Sequence, residues 1–130
     1  MHTKEQLMEM HAEHNEWQNK IKFYRGELKQ LNDQLAAIVS RKPSVDAMIS
    51  IEHFQNQFTV QNEVMDIMRH DFKQHENAIE AKHNSLSTND PGLNENHESH
   101  KDRLAQFEKL FHELRNEFHD FTQKELQQQL

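Results

Sequence analysis

The stretch LMEMHAEHNEWQNKIKFYRGELKQLNDQLAAI, residues 7–38, decides the fold. Leu7, Met10, His14, Trp17, Ile21, Tyr24, Leu28, Leu31, Leu35 and Ile38 recur in it at alternating steps of three and four. Such spacing puts every one of them on a single stripe of an α-helix, and it predicts a helix that packs along its whole length. Gly26 lies inside the pattern and costs about 1 kcal/mol relative to alanine. The stripe stops at Arg41-Lys42-Pro43-Ser44. Proline forces Lys42 out of helical geometry, the two basic residues suit a helix C-terminus, and Ser44 can cap the next helix.

The same reading extends outward. Ile51, Phe54, Phe58, Gln61, Met65, Met68, Phe72, His75, Ile79, Lys82 and Leu86 form a second stripe. Val60, Val64 and Ile67 form an apolar strip beside it. The segment from Ser85 to Gly92 concentrates turn residues, and Asp90-Pro91 reads as the cap and first residue of a third helix. Leu93, His97, His100, Leu104, Phe107, Phe111, Leu114, Phe118 and Phe121 make the third stripe. The expected fold class is therefore all-α: one domain over residues 1–130, an antiparallel up-down-up bundle with helices at about 3–41, 45–86 and 91–126. Each helix would run about 50–60 Å at 1.5 Å per residue. The strip at Val60, Val64 and Ile67, with Phe23 and Leu110, is either a face on which a second copy pairs to make a larger bundle or a widening of the core.

Composition agrees with slender helices. Apolar residues make up 34% of the 130-residue chain, below the roughly 45–50% of ordinary domains, as expected when each helix needs only a narrow stripe. Two glycines exclude a glycine-rich phosphate loop, and the absence of cysteine excludes disulfides, thiolate metal sites and cysteine nucleophiles. A net charge of −7, with basic residues scattered among acids, speaks against nucleic acid or an anionic membrane as partner. Neither a signal peptide nor an apolar run of spanning length is visible, so a cytoplasmic location is the expectation. Catalysis on an organic substrate has no motif to rest on.

The eleven histidines are the chemical lead. Seven (His2, His11, His53, His70, His83, His112 and His119) fall off the main stripes and read as solvated side chains. His14, His75, His97 and His100 stand where the pattern asks for leucine or phenylalanine, and buried polar groups need partners. Folding the stripes back at turns centred near residues 42–43 and 89 sets His14 opposite Asp71 and His75 near Arg103. His100 then lies about one turn away and His97 about two. All four gather toward the second turn. Imidazole and carboxylate together suit a divalent transition metal such as zinc, iron, manganese or nickel. The expected ligands are His14, His75, His100 and Asp71, with Glu13 or His97 as further ligands or supporting partners. Side chains lean toward their own helix N-terminus, which should bring His14 and His75 together and tilt His97 and His100 away. The Glu-x-x-His pairs on which di-metal carboxylate bundles are built occur once, at Glu80–His83, off the stripe.

Overall fold

The computed structural model describes residues 3–83 and 91–128 and consists of α1 (Lys4–Val39), α2 (Val45–His83) and α3 (Pro91–Gln128). Among the described residues there is no strand. The turn at 84–90, with Leu86 and the Asp90 cap read there, lies outside them.

Local chemistry sets the helix ends. Thr3 Oγ1 accepts from the Gln6 N–H (3.1 Å), and the Thr3 N–H donates to Gln6 Oε1 (2.9 Å), a reciprocal capping box that satisfies two orphan donors. α1 stops at Val39, two residues short of the expected end. Lys42, just before Pro43, takes φ 53, the left-handed region that interrupts a helix. Ser44 Oγ then accepts from the Ala47 N–H (3.1 Å) and caps α2 as its position suggests. Mid-α1, a Cβ built on Gly26 meets nothing within 4 Å, so this glycine makes no close approach that requires it.

All ten stripe residues of α1 are buried. They meet α2 in reversed order: His14 touches His75, Trp17 touches Phe72, and Arg25 pairs with Asp66. α2 and α3 also pair in reversed order, with His75 on His97, Phe72 on His100 and Phe54 on Phe118. The main apolar cluster runs from Trp17 and Phe72 through Tyr24, Met65 and Phe107 to Ile38, Ile51 and Phe118. Polar contacts run along its edges. Tyr24 Oη donates to Glu108 Oε2 (2.7 Å), Lys20 Nζ to Glu108 Oε1 (3.2 Å) and Arg115 to Glu27 (2.9 Å). Burial and the Glu108 contact raise the Tyr24 phenol above its ordinary range.

The strip beside the second stripe divides. Val64 packs against the core, whereas Val60 and Ile67 stay exposed. A second, smaller apolar cluster of Leu7, Met10, Ile79 and Leu93 lies toward the other end of the helices. A layer of histidines separates the two clusters.

Candidate metal centre

Each helix contributes to this layer from its buried stripe. α1 supplies His14, α2 supplies His75, and α3 supplies His97 and His100. His14 is 0% exposed, and His75 and His97 are 4% exposed each. Trp17 stacks on His97 with ring centroids 4.8 Å apart and tilts against His14 at 4.7 Å. Phe72 closes the layer on the side of the main core. Leu7, Met10, Ile79 and Leu93 close it on the other side.

Three of the imidazoles form a nearly regular triangle. Ring centroids are 5.0 Å apart for His14 and His75, 5.6 Å for His14 and His97, and 5.4 Å for His75 and His97. One nitrogen from each ring lies within 4.8 Å of the others. His75 Nε2 and His97 Nδ1 are 3.3 Å apart. The edge of a tetrahedron with metal–nitrogen bonds of about 2.0–2.1 Å is about 3.4 Å, so this pair already has the separation of two ligands on one ion. A point equidistant from the three centroids lies about 3.1 Å from each, the mean side divided by √3. A metal bound through nitrogen sits about 3.2 Å from the centre of its imidazole, since the bond length adds to the radius of the ring.

Glu13 supports one corner. Its Oε2 lies 3.3 Å from His97 Nε2, on the side of the ring away from His75. The angle falls short of a hydrogen bond, and Nε2 has no other partner. A carboxylate there favours the tautomer with the proton on Nε2 and leaves the Nδ1 lone pair facing inward, the arrangement by which carboxylates orient metal-bound histidines. His14 has no such help. Both of its ring nitrogens are buried and without a hydrogen-bond partner. A neutral imidazole always carries one N–H, so at least one buried donor goes unsatisfied, at a cost of about 1–3 kcal/mol.

Burial also fixes the charge state. Desolvation first, and the neighbouring His75, His97 and His100 second, lower the His14 pKa from 6.5 to about 3. Desolvation, then His100 and His97, lower that of His75 to about 4. His100 is lowered mainly by burial. Neutral imidazole is the form that offers a lone pair to a cation, so His14 and His75 are ready as ligands at neutral pH without deprotonation.

The placement departs from the sequence reading by about one turn between α1 and α2 and by nearly two between α2 and α3. His14 faces His75 instead of Asp71, and His75 faces His97 instead of Arg103. Asp71 is not brought to the triangle: its Oδ2 accepts from Arg103 Nη1 at 2.8 Å, half-exposed at the edge of the α2–α3 seam. His100 packs against His75 (5.2 Å) and Phe72 (5.3 Å) beside the three, with its Nδ1 buried and unpartnered. The contacts His75–His97, Phe72–His100 and Phe54–Phe118 share one register, six residues earlier on α3 than the one expected. That displacement swings His97 in, against the tilt expected from side-chain lean. Spacing places Trp17 on the stripe and Arg103 near His75, but it does not show Trp17 stacked on His97 or Arg103 paired with Asp71. Arg103 stands three residues after His100, where a charge match with Asp71 could have flagged it.

A second group of donors lies on the surface: His11, Glu76 and Glu80, also with one ligand atom each within 4.8 Å of the others. No family model, curated protein or solved structure matches the chain. Among the described residues no helix is long and apolar enough to cross a membrane.

Proposed function

We propose that this chain is a metal-stabilised helical bundle, folded up-down-up with neighbouring helices antiparallel, in which His14, His75 and His97 hold one divalent transition metal ion. The reversed order of the contacts supports the topology. The observation that carries the metal is His14, fully buried with both nitrogens unpartnered, at a corner of a triangle whose centre is the right distance from three imidazoles for an ion.

An all-imidazole set at neutral pH suits zinc and nickel, and iron(II) after them, better than manganese, which prefers oxygen donors. Glu13 acts through His97 and supplies one negative charge near a dication. His100 or a water molecule would complete the shell. Because each ligand sits on a different helix, the ion works as a cross-link: it binds the folded arrangement and not the unfolded chain, so binding energy becomes folding energy. The role is one of stability and metal-dependent assembly, not of turnover.

Thermal melting of metal-stripped protein tests this. Zinc or nickel at a hundredfold excess over Kd should add about 2.7 kcal/mol, raising Tm by several degrees. The variant His14→Leu should fold and lose the larger part of that increase. Equal shifts in both proteins, or no shift in either, would overturn the reading.

A second reading, self-association as a scaffold protein, is favoured by exposed apolar side chains on the outer faces of all three helices: Phe23, Val60, Ile67 and Leu110 are 57%, 44%, 55% and 44% exposed. Light scattering decides it. A dimer that Ile67→Lys dissociates would support it, and a monomer at high concentration would remove it.

A further inference from the structure

The geometry points to a second metal site, on the surface: His11 of α1 with Glu76 and Glu80 of α2 bind a divalent transition metal ion in the groove between the two helices.

Helical spacing assembles the donors. Glu76 and Glu80, four residues apart, share a face of α2, and His11 reaches them from α1 one turn before His14. His11 Nδ1 is 3.6 Å from Glu76 Oε1, near the ligand–ligand edge of about 3.4 Å that an ion at ordinary bond lengths imposes. The two carboxylates and one imidazole make up a complete three-ligand set, and water can fill the open side.

The Glu76 side chain is only 13% exposed, so its carboxylate is held in the groove and does not wander in solvent. Among the described residues its competing cation is Lys73, which approaches at 3.8 Å from a side chain that is 62% exposed and can turn into water at little cost. Beside the donors lies a hollow of about 570 Å³ floored by Leu7, Ala12 and Ile79, with room for a hydrated ion to approach.

Chemistry separates this site from the buried triangle. Two carboxylates neutralise a dication outright, whereas the triangle offers three neutral nitrogens. The surface site is therefore more oxygen-rich, hydrated and exchangeable, and it does not depend on the buried centre. A chain with both sites takes up two ions of unequal affinity.

Calorimetric titration of metal-stripped full-length protein with zinc at pH 7.5 provides the test, with circular dichroism confirming that each variant folds. His11 is half-exposed and Glu80 exposed, so the double variant His11→Ala/Glu80→Gln keeps its helices. Wild type should take two ions per chain. The double variant should lose the weaker one, by at least tenfold in affinity, and keep the tighter. His14→Leu should lose the tighter and keep the weaker. A single wild-type ion that survives in the double variant would overturn the surface site and leave the buried one standing. A single ion that survives in His14→Leu but not in the double variant would uphold the surface site and overturn the buried one. Absence of any zinc binding would overturn both.

Discussion

The two parts of the core on either side of Trp17 and Phe72 are built from the same kind of stripe, and they are held by different physics. From Ile21 to Ile38 on α1, and along the facing parts of α2 and α3, the seam apart from Gln61 is leucine, isoleucine, methionine, tyrosine and phenylalanine, packed until Ile51, Met65 and Phe111 are 0% exposed. One turn away, the same helical positions carry His14, His75 and His97, equally buried but polar. Burial stabilises the first region through the area it removes from water, and in the second it strands hydrogen-bonding groups. The contrast teaches that depth alone does not identify core. A side chain at 0% exposure can be the strongest packing contact or the least satisfied group in the molecule, according to its chemistry.

The comparison breaks most visibly by volume. Phe111→Ala, in the apolar region, should cost about 3–5 kcal/mol at any pH between 5.5 and 7.5, read from urea midpoints. A loss under 1 kcal/mol would mean that this seam is not tightly packed.

The histidine layer should instead break by pH. In the metal-free protein His14 and His75 have pKa values of about 3 and about 4, against 6.5 when unfolded. The unfolded chain therefore binds protons that the fold excludes. Stability is full above about pH 7.5 and falls as the pH drops below 6.5, by about 1.4 kcal/mol per unit for each histidine, until their folded pKa values are reached. Between pH 7.5 and 5.5 the two should cost about 3 kcal/mol together. His14→Leu should halve that slope and raise stability at pH 7.5. A pH-independent midpoint in wild type would show that these imidazoles are not excluded from water.

A smaller effect sharpens the line between the regions. Gln61 is the one polar side chain among the buried residues of the α2 stripe on the apolar side, 7% exposed with its Oε1 unpartnered. Gln61→Leu should stabilise by about 1–2 kcal/mol in chemical denaturation. Destabilisation would mean that the amide has a partner that outweighs its burial.

Much of the fold was legible because a narrow stripe leaves a strong period. Every apolar residue of the α1 stripe is buried, and the Pro43 and Ser44 punctuation falls where the chain leaves α1 and enters α2. The candidate site was legible in part. A histidine where leucine is expected stands out, and that signal found all four imidazoles. It could not choose among their partners, because register between helices depends on where each helix ends. On α3 it is His97 that meets His75, six residues before Arg103, which pairs with Asp71 instead. The surface donors His11, Glu76 and Glu80 were illegible for a related reason: off-stripe polar residues look alike until the groove between two helices brings them together.

X-ray absorption at the metal edge of the one-to-one zinc complex tests the central claim most directly. The account predicts three imidazole nitrogens at about 2.0–2.1 Å, with multiple-scattering features that His14→Leu reduces. A shell of oxygen donors without imidazole scattering, unchanged by that substitution, would contradict it.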